Sequence, residues 1–101
     1  MNSNIYLIGF SGTGKSTSGE ILSNVLKLNY VDMDSEIELR KGCLISEIFA
    51  SVGEDGFRRM ETDLLGSISN VEGQIVSTGG GLPTLIENRS LMAKTGKIVC
   101  L

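Results

Sequence analysis

The 101-residue chain contains no histidine, no tryptophan, one proline and only two cysteines. Without histidine it has no Ser–His–Asp or Cys–His catalytic unit and no histidine ligand for a metal ion. Cys43 and Cys100 form no Cys-x-x-Cys motif and cannot complete a four-ligand zinc site. Cys100, on a predicted strand, is expected in the core. Acid–base chemistry must therefore come from carboxylates, lysines or a bound ligand.

Basic charge, aromatic residues and long apolar runs are also scarce. The net charge is −3 and aromatic residues make up 5% of the chain, whereas nucleic-acid surfaces need basic stripes or stacking platforms. No apolar run approaches the roughly 20 residues that span a bilayer, and no basic segment precedes residues 5–10 as it would in a signal peptide. Two cysteines outside any recognisable disulfide or metal motif suit a reducing compartment. We therefore expect a cytoplasmic protein with no nucleic-acid or membrane partner, and we expect a monomer.

Hydrophobic patterning predicts short strands that alternate with helices. Brief apolar runs predict strands over residues 4–8, 30–32, 74–78 and 97–101. Apolar residues at helical spacing predict two helices, one through Ile21, Leu22, Val25 and Leu26 and the other through Phe57, Met60, Leu64, Leu65 and Ile68. In the second of these helices, Arg59, Glu61 and Asp63 are expected on the more exposed side.

Three shorter helices are predicted from their ends: Ser35 and Glu38 cap the first before Gly42, residues 46–52 form the second before Gly53, and Thr84 and Glu87 cap the third. The order β-α-β-α-α-α-β-α-β predicts an α/β fold, a three-layer αβα arrangement around a parallel sheet with right-handed crossovers. A parallel strand needs cover on both faces, and no helix follows residues 97–101. We therefore expect residues 1–101 to be the N-terminal portion of one larger domain, truncated after the fourth strand. The alternative is an edge strand at a natural C-terminus.

Residues 9–16, GFSGTGKS, match the phosphate-binding pattern G-x-x-x-x-G-K-[ST] between a predicted strand and a predicted helix. Its glycines let consecutive backbone N–H groups converge on phosphate oxygens, and the helix N-terminus adds partial positive charge. Lys15 can reach the β- and γ-phosphates, and the Ser16 hydroxyl can ligate Mg²⁺. The segment predicts a nucleotide site, and the alternative is a plain glycine turn.

Asp32 and Asp34 lie at the end of the second predicted strand, at the sheet edge where ligands bind in open α/β folds. Residues two apart on a strand face the same way, so both carboxylates could address one site. Beside a phosphate-binding loop, one carboxylate is expected near Mg²⁺ and the other near the hydroxyl that accepts the phosphoryl group. The alternative is a turn in which Asp34 or Ser35 caps the next helix.

Two further features suit an anionic acceptor. The planar guanidinium of Arg58 can bind a carboxylate at two points; the alternative is a solvated face with an Arg58–Glu61 pair, worth about 0.3 kcal/mol. Gly79, Gly80 and Gly81 directly follow the third strand. Three successive glycines favour close approach of a ligand or another backbone, and the alternative is an ordinary turn.

Taken together, these segments resemble shikimate kinase, a P-loop family in the nucleoside-monophosphate-kinase-like group. The resemblance covers the whole chain and rests on GFSGTGKST, on DMD running into SEIE, on GEDGFRRME and on STGGG. The first segment alone identifies only a superfamily, whereas the other three, in this order and spacing, are much more specific. The resemblance implies transfer of the γ-phosphoryl group of ATP to the 3-hydroxyl of shikimate in aromatic amino-acid biosynthesis, with Mg²⁺ as cofactor.

The resemblance also implies a role for each site residue. The loop that binds nucleotide and Mg²⁺ is matched by Gly12, Thr13, Gly14, Lys15, Ser16 and Thr17, and the backbone segment that closes on shikimate by Gly79, Gly80 and Gly81. Asp34 matches the residue that binds the acceptor hydroxyl and takes its proton, and Asp32 matches an acidic residue near Mg²⁺. Arg58 matches the arginine that pairs with the shikimate carboxylate, with support from Glu61. Lys15 and Asp34 are thus the expected catalytic residues.

Chains of this family continue into a mobile lid with a catalytic arginine, a further shikimate-binding arginine and an adenine-binding loop. None of these is expected within the 101 residues, which alone should be inactive. Two alternatives stay open. One is another small-molecule kinase such as a gluconate kinase, which Arg58 and the triple glycine disfavour. The other is a non-catalytic, nucleotide-binding remnant of a P-loop kinase.

Overall fold

The computed structural model of the chain describes residues 4–9, 15–78, 82 and 85–100, except for the side chains of residues 15–18. Its elements are β1 (Asn4–Ile8), α1 (Lys15–Leu26), β2 (Asn29–Asp32), α2 (Met33–Lys41), α3 (Ile45–Ser69), β3 (Gln74–Ser77), α4 (Ile86–Thr95) and β4 (Gly96–Cys100). The predicted alternation of strands and helices is confirmed. None of the described helices is long and apolar enough to cross a membrane.

The strands form one parallel sheet in the order β2-β3-β1-β4. The chain moves across the sheet in one direction from β1 to β2 and in the other direction from β2 to β3 and from β3 to β4. Right-handed crossovers therefore place α1 on one face and α2, α3 and α4 on the other. The contacts agree, because α1 packs on β2 and β3 while α3 contacts both α2 and α4. The three-layer αβα arrangement predicted from the sequence is confirmed.

The main core lies between the sheet and the layer formed by α2, α3 and α4. Its buried residues are Tyr6, Met33, Ile37, Ile48, Phe57, Leu64, Leu65, Ile68, Val76, Leu82 and Met92. The inner strand β3 is buried along its whole length, whereas β4 pairs only with β1 in the described sheet and is largely exposed. Cys100 is therefore exposed, and its predicted place in the core is wrong.

The helix α1 forms as predicted, but its apolar stripe is not the buried face. Ile21, Val25 and Leu26 are 57%, 69% and 46% exposed. Gly19 is buried instead, and the ring of Tyr30 on β2 occupies the space into which a Cβ at Gly19 would project. Close approach of the helix backbone to an aromatic ring, rather than a row of large apolar side chains, fixes α1 on the sheet.

The 25-residue helix α3 joins two helices that the sequence predicts separately. They meet at Gly53, whose φ of 75° and ψ of 179° are not helical. The predicted stop at Gly53 is therefore a kink, in a conformation that favours glycine. Four of the five apolar residues predicted for the second segment are buried, namely Phe57, Leu64, Leu65 and Ile68.

Candidate functional site

The carboxyl ends of β1, β2 and β3 meet at one edge of the sheet. Leu7 on β1 and Asp32 on β2 both pair with Ser77 on β3, so the three strands end side by side. Beyond β3, Thr78 donates its N–H and its Oγ1 hydroxyl to the carbonyl of Leu7, at 3.0 and 3.1 Å. Gly9 leaves β1 with a φ of 148°, which favours glycine. This edge is a fixed frame for the segments that follow the strands.

The segment predicted to bind nucleotide connects this edge to α1, which begins at Lys15. A helix N-terminus therefore lies at the end of the segment, and its partial positive charge favours phosphate there. Several predicted residues lie outside the described part of the chain: Gly12, Thr13, Gly14, Gly79, Gly80, Gly81 and Thr84, together with the side chains of Lys15, Ser16 and Thr17. Except for Thr84, their roles stay predictions.

Asp32 and Asp34 belong to different elements. Asp32 ends β2 and is the N-cap of α2, where its Oδ1 accepts a hydrogen bond of 3.2 Å from the backbone N–H of Ser35. Asp34 lies in the first turn of α2. The prediction that strand alternation would align the two carboxylates is wrong, because the helix already begins at Met33. The prediction that Asp34 or Ser35 would cap the helix is wrong for the same reason.

The N-cap of α4 also differs from its prediction. Leu85 holds that position, with no capping hydrogen bond from its side chain, and the helix begins at Ile86. Gly42, by contrast, ends α2 as predicted, with a φ of 71° and a backbone N–H that bonds to the carbonyl of Glu38.

Arg58 is held between two carboxylates on α3. Its Nη1 donates to Oε1 of Glu61 at 2.7 Å, and its Nη2 donates to Oε2 of Glu54 at 3.4 Å. The hydrogen bond with Glu61 raises the pKa of Arg58, so the guanidinium stays cationic. The Arg58 side chain is still 27% exposed, and it is therefore oriented without being covered. Sequence reasoning missed Glu54, although its spacing of four residues from Arg58 is typical of helical ion pairs.

Glu61 is only 1% exposed, and the prediction that it lies on the more exposed side of α3 is wrong. Its second oxygen, Oε2, has no hydrogen-bond partner among the residues that the structure describes. Burial raises the pKa of Glu61, the hydrogen bond and charge of Arg58 oppose this, and the charge of Asp34 raises the pKa further. Asp34 on α2 is therefore near Glu61 on α3. The structure thus brings together three predicted site residues, Asp34, Arg58 and Glu61.

The described residues fit a Mg²⁺ ion that is carried by phosphates rather than one enclosed by protein. Mg²⁺ usually keeps several waters and takes one or two carboxylates together with substrate phosphates. Asp32 provides a carboxylate at the sheet edge, and its bond to the Ser35 N–H orients it. Within residues 4–9, 15–78, 82 and 85–100, no group of three or more His, Cys, Asp and Glu residues could hold a metal ion.

Known proteins are similar to this chain in both sequence and fold. The chain is 48% identical over 98 residues to the shikimate kinase of Sulfurihydrogenibium sp. (strain YO3AOP1), covering 97% of this chain and 59% of that protein. The shikimate kinase of Acinetobacter baumannii, solved in complex with shikimate, matches with a TM-score of 0.95 and 39% identity, over 100% of this chain and 56% of that one. For the shikimate kinase of Bacteroides thetaiotaomicron, the TM-score is 0.94 at 37% identity, over 98% and 59% of the two chains.

The chain spans less than two thirds of the length of these relatives, at 56% to 59%. The family model for shikimate kinase matches residues 11–101, which is most of the chain. The match includes residues 11–16 of the segment predicted to bind phosphate, together with Asp34, Arg58, Glu61 and the glycines after β3. With this match, the chain belongs to the shikimate kinase family.

Proposed function

We propose that the protein containing this chain transfers the γ-phosphoryl group of ATP to the 3-hydroxyl of shikimate. In this proposal residues 1–101 are the N-terminal portion of a single P-loop kinase domain, and alone they are inactive. The observation that carries the proposal is the Arg58 guanidinium, which Glu61 and Glu54 orient while 27% of its side chain stays exposed. The charge of Asp34 acts on the same Glu61. The A. baumannii relative, solved with shikimate, supports the choice of acceptor.

Arg58 is the anchor for the acceptor carboxylate in this proposal. A guanidinium binds a carboxylate through two parallel N–H···O bonds, which fix direction as well as distance. The hydrogen bond to Glu61 already restricts the Arg58 side chain, so less of its freedom is lost when the acceptor binds. Gly79, Gly80 and Gly81 are proposed to approach the same acceptor through their backbone. An acceptor held at both places has its ring fixed relative to the phosphates.

Asp34 is the proposed base for the transfer. Its carboxylate takes the proton of the 3-hydroxyl as the hydroxyl oxygen forms a bond to the γ-phosphorus, and the bond from that phosphorus to the ADP oxygen breaks. The products are ADP and shikimate 3-phosphate, with the proton left on Asp34. Such a reaction asks the protein mainly for positioning and for neutralisation of charge.

The phosphates are proposed to bind at the N-terminus of α1. The residues assigned to this role are Gly12, Thr13, Gly14, Lys15, Ser16 and Thr17, with Lys15 on the transferring group. Mg²⁺ bound with ATP would offset negative charge on the phosphates, held by Ser16 and, through water, by Asp32. The N-cap bond of Asp32 to Ser35 fixes the direction of that carboxylate.

The test is release of ADP by the longest polypeptide that its gene encodes, measured with shikimate and with gluconate as acceptors. We expect shikimate-dependent turnover, and none from the 101-residue chain by itself. Turnover with gluconate and none with shikimate would mean that the protein phosphorylates another small-molecule acceptor. Nucleotide binding without turnover on either acceptor would instead identify a non-catalytic remnant of a kinase.

The setting of the protein is part of the proposal: a cytoplasmic monomer whose ligands are ATP and shikimate, with no nucleic-acid or membrane partner. The acidic net charge of −3 supports the exclusion of nucleic acid. Among the described residues neither Cys43 nor Cys100 forms a disulfide, which suits a reducing compartment. Sedimentation of the complete protein at several concentrations tests the monomer.

A further inference from the structure

We infer that Asn88 is a positioning residue for the acceptor, because its buried side-chain amide fixes Leu82, the residue after the triple glycine. The inference rests on the proposed function, in which Gly79, Gly80 and Gly81 approach shikimate. Asn88 does not touch the acceptor in this inference. It acts through the backbone of Leu82, the residue that directly follows the three glycines.

The amide of Asn88 lies in the core. Asn88 is the third residue of α4 and is 1% exposed, and its Nδ2 donates to the carbonyl oxygen of Leu82 at 3.0 Å. Leu82 is itself fully buried, in the cluster that contains Met33 and Phe57. These two residues directly precede Asp34 and Arg58 in the chain. The hydrogen bond therefore ties Leu82 to the same core that carries the proposed acceptor residues.

Thr78, the residue before the three glycines, is fixed as well. Thr78 is 2% exposed, and its N–H and hydroxyl both bond to the carbonyl of Leu7. Three glycines thus connect two buried and hydrogen-bonded residues. Glycine loses more conformational freedom on ordering than any other residue, so fixed ends remove part of the entropy that binding would otherwise lose. The amide of Asn88 fixes one of these two residues, Leu82.

The chemistry of this position calls for a neutral donor. The N-cap of α4, Leu85, makes no hydrogen bond through its side chain, so Asn88 binds the preceding segment from inside the first turn. An aspartate has nearly the same shape but, when ionised, no proton to donate, and it would set a charge against the Leu82 carbonyl. Asn88→Asp is therefore a nearly isosteric test of the hydrogen bond.

Asn4→Asp is the matched control. Asn4 is also 1% exposed, and its Nδ2 also donates to a backbone carbonyl, that of Val71 at 2.8 Å. It begins β1 and so lies at the opposite end of the strands from the site. Both substitutions remove a buried amide donor, and of these two donors only that of Asn88 bonds to a residue next to the three glycines.

In the complete protein we expect Asn88→Asp to raise the shikimate KM about three- to tenfold, the effect of one lost neutral hydrogen bond, with the ATP KM changed less than about twofold. Asn4→Asp should lower the thermal midpoint and leave the shikimate KM unchanged. An unchanged shikimate KM in Asn88→Asp, or equal rises for both substrates, would overturn the inference. If Asn88→Asp does not fold, Asn88→Ala is measured against the same two outcomes.

Amide hydrogen exchange of residues 79–82 in the folded protein gives a second readout that needs no turnover. We expect faster exchange in Asn88→Asp than in the wild type, and wild-type rates at these residues in Asn4→Asp. Unchanged exchange in Asn88→Asp refutes the role of the amide. A wild-type protein with no shikimate-dependent turnover would refute the proposed function alone, and the exchange rates would then decide on Asn88.

Discussion

Nη1 of Arg58 lies 2.7 Å from Oε1 of Glu61, and the two side chains differ widely in exposure, at 27% and 1%. The carboxylate is in the core, and the guanidinium extends from it towards the surface. Removing one partner of a buried pair leaves a buried charge without compensation, which is far more destabilising than losing an exposed pair. A buried carboxylate on α3 therefore fixes the direction of the partly exposed Arg58 side chain.

We predict that Arg58→Lys weakens shikimate binding at least about tenfold, or ~1.4 kcal/mol. Lysine keeps the charge but has no planar fork, so it cannot bond to Glu61 and also bind a carboxylate at two points. Calorimetric titration of the complete protein with shikimate measures the effect. Arg59→Lys is the matched control, since Arg59 is adjacent and exposed, and its affinity should be that of the wild type. Equal losses in both variants would contradict the role given to Arg58.

We predict that Asp34→Asn lowers turnover by about 10² to 10⁴, the usual contribution of a positioned base. ATP affinity should stay within about twofold of the wild type, because the phosphates are proposed to bind at α1 whereas Asp34 lies on α2. Steady-state kinetics and nucleotide titration separate the two quantities. Asp55→Asn changes an exposed carboxylate on α3 and should alter neither. Loss of ATP affinity in Asp34→Asn would place Asp34 at the nucleotide instead.

The order of the elements could be predicted because each strand is a short apolar run that a turn residue ends. The face that α1 buries could not. Hydrophobic patterning finds rows of apolar side chains, and on α1 it found Ile21 and Val25, which are exposed. The contact that holds the helix is made by Gly19, which has no side chain, and the ring of Tyr30, which comes from another element. A packing contact of this kind has no periodic signal in one sequence.

The site could be predicted by residue type better than by geometry. Position 61 lies four residues after Phe57 and three before Leu64, so helical spacing places it on the buried face. The charge of the Glu61 carboxylate led to the prediction that it is exposed. The hydrogen bond to Arg58 explains how a carboxylate occupies the buried face. The prediction that Asp32 and Asp34 align on one strand failed for a related reason. Whether a strand ends before or after Asp34 depends on the cap formed by Asp32, and a rule for strands does not apply beyond it.

We predict opposite effects for two glycine-to-alanine substitutions in α3. Gly53→Ala should destabilise the protein by about 1–3 kcal/mol, because φ 75° and ψ 179° are strained for any other residue. Gly66→Ala lies within regular helix and should stabilise by about 0.5–1 kcal/mol. Apart from the adjacent residues and the backbone of the helix itself, no described atom lies within 4 Å of a Cβ added at either site, which leaves backbone conformation as the difference. Urea unfolding measures both, and losses of equal size would contradict the kink at Gly53.

We predict that the stability of the wild type falls relative to that of Glu61→Gln as the pH rises above about 4.5. Burial raises the pKa of Glu61 in the folded protein above its ordinary value of 4.5. Between these two pKa values the folded state binds more protons than the unfolded chain, so the free energy of unfolding falls with rising pH. A glutamine cannot titrate, and Glu61→Gln therefore lacks this contribution. Urea unfolding of both proteins at intervals from pH 4 to 8 gives the difference.

Glu72→Gln is the control, because it changes an exposed carboxyl. Its free energy of unfolding, plotted against pH, should run parallel to that of the wild type. A difference between wild type and Glu61→Gln that stays constant with pH would mean that Glu61 titrates alike in the folded and unfolded states.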